Sequence, residues 1–478
     1  MNLGKKYISN LYKDNLIYDH LINKVSVNSK NVEKNDIFVA ISGTNKDGND
    51  YISEAIKNGA KTIITEEKCF YENVNIMIVE NSRKELARIL KIIYSKIMKK
   101  MKIIGVTGTN GKTTTTTLVY RYLKDIGKEA LLIGSNGIYF SNIYYEGINT
   151  TPDITIIYDS IYKAFVQGCK YVIMEVSSHA IKQLRVLGIE FNVGLFTNLT
   201  LDHLDYHGDF TDYKYTKGLF ISSINEPNYV ILNKDSDYYH FYESLSKTKV
   251  ISYGINRADF LIKDVKLFGH KSEFIISYKD RSMKIDTPFI GMFNVYNITS
   301  FVAIITVLKL CKENQVIEFL SKKIVIPGRM EEVEYKGRTI IVDFAHTPDG
   351  VFNVLTFLKI LKRKIILVVG CGGSRDKTKR RVIGEISVSN SDYVIFTSDN
   401  PRDEDENEII KDIIRDIELT NFEVTTDRKQ AITKAIKMSE ENDIIAILGR
   451  GNEQYQKVKQ QLIPLNDMNV VLEVIKEG

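Results

Sequence analysis

The apolar run Ile103-Ile104-Gly105-Val106 passes directly into Gly108-Thr109-Asn110-Gly111-Lys112-Thr113-Thr114, and helical spacing follows from Lys112 to about Leu123. A strand, a glycine loop and a helix in that order turn the first backbone N–H groups of the helix toward one point. The helix dipole makes that point a site for an anion, and Lys112 adds a positive charge. Thr113 is placed to ligate Mg²⁺. Such a unit needs a largely parallel sheet, with ligands collected at the carboxyl ends of its strands. The strict phosphate-loop pattern asks for a glycine five residues before Gly111; Val106 stands there, so this is a shorter variant.

The rest of the chain agrees with an α/β fold. Tyr171-Val172-Ile173-Met174-Glu175 and Val193-Gly194-Leu195-Phe196-Thr197 read as buried strands that end in polar clusters. Before them, strand-like pieces at residues 36–41 and 61–65 precede a helix predicted over 83–100, with Leu86, Ile89, Leu90, Ile93 and Ile97 on one face. After Pro327-Gly328-Arg329 the pattern restarts with apolar strands at 339–343, 364–369, 392–396 and 443–448, which predicts a second open α/β domain. Three domains are therefore expected, over 1–100, 101–327 and 328–478, in keeping with a length of 478 residues.

Bulk properties exclude more than they assign. A net charge of +5, with Lys and Glu interspersed, gives no nucleic-acid track or membrane-surface patch. No apolar run approaches the length needed to span a bilayer. Cys69, Cys169, Cys311 and Cys371 are far apart and show no paired metal-ligand spacing, so a reducing, cytoplasmic setting is expected.

Two further clusters carry chemistry. Glu175, with Ser177, Ser178 and His179 after it, stands at a strand end from which a carboxylate reaches a metal on bound phosphates. His203 and His207, with Asp202 and Asp205, follow the next strand end at Thr197-Asn198. Lys217, on a helix predicted around 213–222, would by itself be read as a solvated cation.

In sequence these stretches resemble the Mur ligase family, most closely the members that add the third amino acid to a muramoyl dipeptide. The resemblance runs from about Ser29 to Gln456. It takes in Asn149-Thr150-Thr151-Pro152, Gly291-Met292-Phe293-Asn294-Val295-Tyr296-Asn297, Pro327-Gly328-Arg329-Met330-Glu331 and Asp343-Phe344-Ala345-His346-Thr347-Pro348-Asp349. It implies a three-domain architecture: an N-terminal domain for the UDP end, a central phosphate-loop ATPase domain, and a C-terminal Rossmann-like domain that brings the amino acid. It also implies the reaction, in which ATP is a co-substrate and an acyl phosphate is aminolysed in peptidoglycan precursor synthesis.

By motif position, Thr113 and Glu175 resemble ligands of one Mg²⁺ and His203 a ligand of a second. Lys217 aligns with the family's carbamylated lysine, in which CO₂ turns an amine into a carboxylate-like ligand. Lys112 with Glu175, His203 and Lys217 would form the catalytic set. Gly108, Thr109, Asn110, Gly111, Thr113, Thr114, Asn294, Asn297, Arg329 and Asp343 resemble ATP contacts. Ser29, Thr44, Asn45 and Lys46 resemble uridine contacts, and Asn149, Thr150, Thr151, Ser177, Gln183 and Arg185 contacts along the muramoyl dipeptide. Arg375, Asp399, Asn400, Pro401, Arg402, Gly449 and Glu453 would read the amino acid. Arg402 facing a distal carboxylate and Glu453 facing an amine resemble the meso-diaminopimelate type, not the lysine-adding one. A monomer with small-molecule substrates is expected.

The chain departs from the family pattern at two places. Gly449-Arg450-Gly451-Asn452-Glu453 has Arg and Asn where Lys and His are usual, and Asn28-Ser29-Lys30 replaces the usual Asp-Ser-Arg. The first bears on amino-acid choice and the second on the uridine end. The alternatives are a paralogue using lysine or another diamino acid, a related amide ligase such as a folylpolyglutamate or cyanophycin-type enzyme, and, outside the class, a catalytically silent nucleotide-binding regulator or a phosphate-loop hydrolase.

Overall fold

The computed structural model describes residues 6–14, 16–43, 46–141, 143–145 and 149–477. Two compact units result, one of Met1–Gly105 with Ile126–Val193, the other of Val106–Asp125 with Gly194–Gly478. Each is taken in turn.

The first unit opens with a four-stranded parallel sheet of Val25–Ser26, Ile37–Val39, Thr62–Thr65 and Asn75–Ile78, in chain order. Helix Ser82–Met98 matches the predicted one. Its Leu86, Ile89, Leu90, Ile93 and Ile97 are all buried, as the apolar stripe requires. Further on, Ala130–Gly134 pairs in parallel with Tyr171–Glu175 and antiparallel with Gly137–Phe140. Glycine serves at 134 because a Cβ there would lie 2.3 Å from Glu175 Oε1.

In the second unit, Asn225–Asn233 and Lys247–Gly254 run parallel, and Phe260–Leu267, Ser272–Tyr278 and Arg281–Thr287 continue as an antiparallel meander. The last strand alternates exposed and buried residues along Ser282–Thr287, the mark of a sheet with one wet face. Helix Met292–Val307 is mostly apolar, with Asn294 and Asn297 among the exceptions, and is buried along most of its length.

The C-terminal part of this unit has a six-stranded sheet. Glu331–Tyr335 lies antiparallel at one edge, and Arg338–Asp343, Ile444–Leu448, Ile365–Val369, Tyr393–Phe396 and Phe422–Val424 follow in parallel. Its strands read as unbroken apolar runs because both faces are covered. Ile341, Leu367, Val369 and Phe396 pack on one side with Val351, Leu355, Leu358 and Ile383 from helices Pro348–Ile360 and Thr378–Asn390. Their neighbours Ile340, Val342, Ile366 and Val368 pack on the other side with helices Arg428–Met438 and Asp467–Glu477.

No helix among the described residues is long and apolar enough to cross a membrane. The four cysteines are free thiols.

Candidate active site

Four residues separate the end of strand Lys102–Thr107 from the start of helix Lys112–Asp125, so the loop between them has little freedom. Gly108 has φ +146° and Gly111 φ +85°, values that favour glycine. The loop is braced by Thr197-Asn198. Thr197 Oγ1 donates to Asn110 O at 2.6 Å, Asn110 N to Asn198 Oδ1 at 2.9 Å, and Thr109 N to Asn198 O at 2.9 Å. A Cβ at Gly108 would fall 1.8 Å from Thr197 Oγ1, and one at Gly111 2.4 Å from Asn297 Oδ1. Gly108→Ala is therefore expected to distort the loop and weaken ATP binding about tenfold, measurable by titration with ATP.

Lys112 Nζ donates to the carbonyls of Gly108 and Thr109, at 2.8 Å each. Lys217, on helix Phe210–Ser222, reaches the same Gly108 carbonyl at 3.0 Å and is 1% exposed. Its ammonium lies over the Tyr213 ring, 4.7 Å from the centroid. Burial, and then the charge of Lys112, push the Lys217 amine well below the usual lysine range. The surface cation that the isolated sequence suggests is thus a buried amine biased toward its neutral form.

Asp202 is the anion of this region. It accepts from His203 N at 3.0 Å and lies 3.2 Å from His203 Nε2, 3.7 Å from His346 Nε2 and 3.4 Å from Lys379 Nζ. Burial by itself would raise its pKa, but His203, His346 and Lys379 outweigh burial and hold the carboxyl well below its usual range. His203 takes φ +57°, a left-handed backbone just before the short helix Leu204–His207. His207 is turned inward, with Nδ1 2.6 Å from Asp212 Oδ2.

Among the described residues no group of three or more His, Cys, Asp or Glu side chains is arranged to hold a metal ion. The Thr113 hydroxyl accepts from Arg329 Nη2 at 2.9 Å, and a Thr hydroxyl at this place in the loop is a donor that suits Mg²⁺ on a nucleotide.

Beside the loop lies a cavity of about 360 Å³, lined by Asn110, Gly111, Thr114, Asn294, Asn297, Arg329 and Asp343 together with Tyr253, Phe289, Phe293 and Ile326. Seven residues expected to hold ATP are thereby brought to one place. Met330 N and Ala345 N donate to the Asp343 carboxylate at 2.7 and 2.8 Å, which fixes its orientation. Burial raises the Asp343 pKa, partly countered by Arg329. Arg329 itself stacks on Phe344, 4.4 Å from the ring centroid. Aromatic and aliphatic walls with a few fixed polar groups suit a base and its ribose.

The amino-acid candidates gather at the carboxyl ends of the C-terminal strands. Asn400 Nδ2 donates to Glu453 Oε2 at 2.7 Å and to Asp399 Oδ1 at 3.1 Å, while Asn400 Oδ1 accepts from Lys457 N at 2.8 Å. Gly449 has φ +118°, and a Cβ on it would sit 2.7 Å from Asp399 Oδ2. Arg402 Nη1 donates to Gly373 O at 2.8 Å. Pro401 O accepts from Glu404 N at 3.1 Å, closing the turn. Arg375 instead pairs with Asp205 at 3.0 Å.

In the first unit, Glu175 is 1% exposed and accepts from Ser135 N at 2.9 Å and Ser135 Oγ at 3.1 Å. Thr151 Oγ1 donates to Glu175 O at 2.7 Å and accepts from Ser177 N at 3.0 Å, and Arg185 Nη1 donates to Thr151 O at 2.8 Å. Gln183 Oε1 accepts from Arg185 Nη2 at 2.5 Å, and Thr150 Oγ1 lies 3.1 Å from Ser135 Oγ. Asn149 is exposed. Of the uridine candidates, Ser29 is buried and its hydroxyl donates to Glu54, Lys46 is exposed, and Thr44 and Asn45 lie outside the described residues.

Sequence reasoning missed several participants. Tyr213 Oη lies 3.0 Å from Thr109 Oγ1, Asp349 accepts from Asn110 Nδ2 at 3.1 Å, and Lys379 reaches Asp202 across 177 positions. The last two had a local signal: Asp349 closes the Asp343-to-Asp349 motif, and Lys379 stands in a basic cluster opening a helix after the Gly370-to-Gly373 loop.

Comparison with known proteins bears on the same regions. The profile for the Mur ligase family catalytic domain matches residues 21–100, that for the Mur ligase middle domain 106–305, and that for the Mur ligase glutamate ligase domain 328–451. The UDP-N-acetylmuramoyl-L-alanyl-D-glutamate–2,6-diaminopimelate ligase of Clostridium tetani is 38% identical over 99% of this chain and 98% of its own. The UDP-N-acetylmuramyl-tripeptide synthetase 2 of Oceanobacillus iheyensis is 36% identical over 95% and 94%. A solved UDP-N-acetylmuramoyl-L-alanyl-D-glutamate–2,6-diaminopimelate ligase superposes with TM-score 0.71 at 26% identity, over 99% of both chains. The MurF ligase of Thermotoga maritima in complex with ADP has TM-score 0.66 at 20% identity, over 95% and 96%, a likeness of fold alone. With relatives above 30% identity over nearly its full length, the chain belongs to the Mur ligase family of ATP-dependent ligases.

Proposed function

We propose that the chain adds meso-diaminopimelate to UDP-MurNAc-L-Ala-D-Glu, with ATP as co-substrate, in cytoplasmic peptidoglycan precursor synthesis. The observation that carries this reading is the adjacency of the phosphate loop, with both Lys112 and the buried Lys217 on the Gly108 carbonyl, to a cavity lined by Asn294, Asn297, Arg329 and Asp343.

In the proposed chemistry an oxygen of the D-glutamate carboxylate attacks the γ-phosphorus and ADP leaves. The amine of the third amino acid then attacks the acyl carbon and loses a proton, and the tetrahedral intermediate expels phosphate to give the amide. The chain's own contribution is positional and electrostatic. Loop N–H groups and Lys112 offset charge on the transferring phosphoryl group, and the nearby cavity holds the base and ribose. Mg²⁺, when bound, would supply positive charge that stabilises the transferring phosphoryl group. By motif position, Thr113 and Glu175 are assigned to one Mg²⁺, and His203 and a carbamate on Lys217 to a second. The burial and low pKa of Lys217 support the carbamate, because only a neutral amine adds to CO₂. Ser29 and Lys46 are assigned to the UDP end, and Ser177, Gln183 and Arg185 to the muramoyl dipeptide, with functional segments 1–100, 101–327 and 328–478 in a monomer.

Supplying UDP-MurNAc-L-Ala-D-Glu, ATP and Mg²⁺ with meso-diaminopimelate, L-lysine, L-ornithine or lanthionine and weighing the product tests the reading. The diaminopimelate adduct is expected. A lysine adduct in its place would move the chain to the lysine-adding type, and nucleotide hydrolysis without any adduct would remove it from ligase chemistry.

A further inference from the structure

Arg450 is 1% exposed, yet its Nε and Nη1 have no hydrogen-bond partner among the described residues. Only Nη2 is held, donating to Leu465 O at 2.8 Å. Arg428, in the same C-terminal segment, shows what a purely structural buried arginine looks like. It donates to both Asp467 oxygens, at 2.8 and 2.7 Å, and to Leu448 O at 3.0 Å. Leaving buried guanidinium N–H groups unpaired is costly. Arg450 therefore has reserve capacity where Arg428 has almost none.

What Nε faces is Glu453 Oε2, at 3.8 Å, which is close enough for charge attraction and too far for a hydrogen bond. The same oxygen accepts from Asn400 Nδ2 at 2.7 Å. The charged groups around the Glu453 carboxylate are Asp399, which opposes its ionisation, and Arg450, Arg402 and Arg428, which favour it. Burial, and then Asp399, raise the Glu453 pKa despite these arginines. We propose that Arg450 is a positioning residue for the incoming amino acid, holding the Glu453 carboxylate charged and aimed at the distal ammonium of a diamino acid. The proposal rests on the ligase reading above. It also gives the Arg of the Gly449-to-Glu453 loop a task. A guanidinium keeps its charge when buried, whereas a lysine amine there would lose its proton far more readily.

The sign of the pH effect follows. As pH falls through the Glu453 pKa, the carboxylate protonates and its pairing with ammonium is lost. Without Arg450 that pKa rises further, so the loss sets in at higher pH.

The test uses the full chain with ATP, Mg²⁺ and the UDP-dipeptide, varying diaminopimelate, in wild type, Arg450→Met and Arg450→Lys. Arg450→Met is expected to raise KM for the diamino acid about tenfold with a much smaller effect on kcat. It should also move the acid limb of kcat/KM up by about one pH unit. Arg450→Lys should recover at least part of both near neutral pH. A raised KM with an unmoved acid limb would reduce Arg450 to a structural role and overturn the proposal. Should Arg450→Met fail to fold, as judged by loss of the ADP-induced thermal shift, Arg450→Gln against Arg450→Lys carries the same comparison. A wild type that uses no diamino acid would overturn the ligase reading instead, whereas a wild type that does, beside an unchanged Arg450→Met, overturns only this inference.

Discussion

Lys217→Ala is expected to lower ligation about a thousandfold while ADP binding and the folded state persist. The side chain is 1% exposed and makes one hydrogen bond, to a carbonyl that Lys112 also serves. Removing it therefore leaves no acceptor orphaned. It also deletes a buried amine whose charged form is disfavoured by burial and by Lys112, which offsets part of the cost of the cavity its stem leaves. What disappears is the proposed N-carboxylate, formed when the neutral amine attacks the carbon of CO₂ and gives up a proton. Two variants separate this from loss of a cation. Lys217→Arg keeps a positive charge but has no nucleophilic amine, and should stay inactive. Short carboxylic acids added to Lys217→Ala should restore part of the rate by supplying the missing anion. Acceptor-dependent phosphate release is the measurement, and a wild-type rate in Lys217→Ala would end the carbamate assignment.

How far the sequence carries is seen at this same lysine. The phosphate loop is legible because its geometry is local: a strand, two glycines and a helix start within a dozen residues, and Gly108 and Gly111 take the backbone angles that the loop demands. Helix Ser82–Met98 and the apolar strands of the C-terminal sheet are legible for the same reason, since period 3.6 and unbroken apolar runs are properties of single segments. Lys217 is not. Its burial is decided by Tyr213 one helical turn away and by Gly108 across 109 positions, and no periodicity announces either. Asp202 is similar: an aspartate in a polar loop becomes the shared anion of His203, His346 and Lys379 only when the segment after strand Arg338–Asp343 and helix Thr378–Asn390 fold beside it. The antiparallel strands between 260 and 287 are harder to read as well, because mixed polar and apolar positions make a fainter signal than the unbroken apolar runs of the parallel strands.

Arg402→Ala is the variant expected to change substrate choice most, lowering kcat/KM for diaminopimelate about a hundredfold and leaving use of amino acids without a distal carboxylate nearly untouched. The backbone presents this guanidinium before any substrate arrives. Arg402 sits at φ +52°, its N donates to Lys457 O at 2.9 Å, and its O accepts from Lys459 N at 2.6 Å, so it is fastened to the hairpin of Tyr455–Val458 and Gln461–Pro464. Nη1 is taken by Gly373 O and Asn400 O, and among the described residues the other two guanidinium nitrogens have no protein acceptor, which leaves a fork for a carboxylate. Burial, and then the neighbouring Arg375, depress its pKa, so the pocket favours an incoming anion. Glu453, held by Asn400, is the group proposed to supply the opposite charge for the ammonium. Arg402→Lys distinguishes charge from shape. A single ammonium retains attraction but not the two parallel hydrogen bonds, so its KM should fall between wild type and alanine. Alanine can adopt the left-handed backbone at a cost of about 1 kcal/mol, and the ADP-induced thermal shift reports whether the fold tolerates it. Equal KM values for diaminopimelate in wild type and Arg402→Ala would remove the carboxylate clamp and reopen lysine as the third residue.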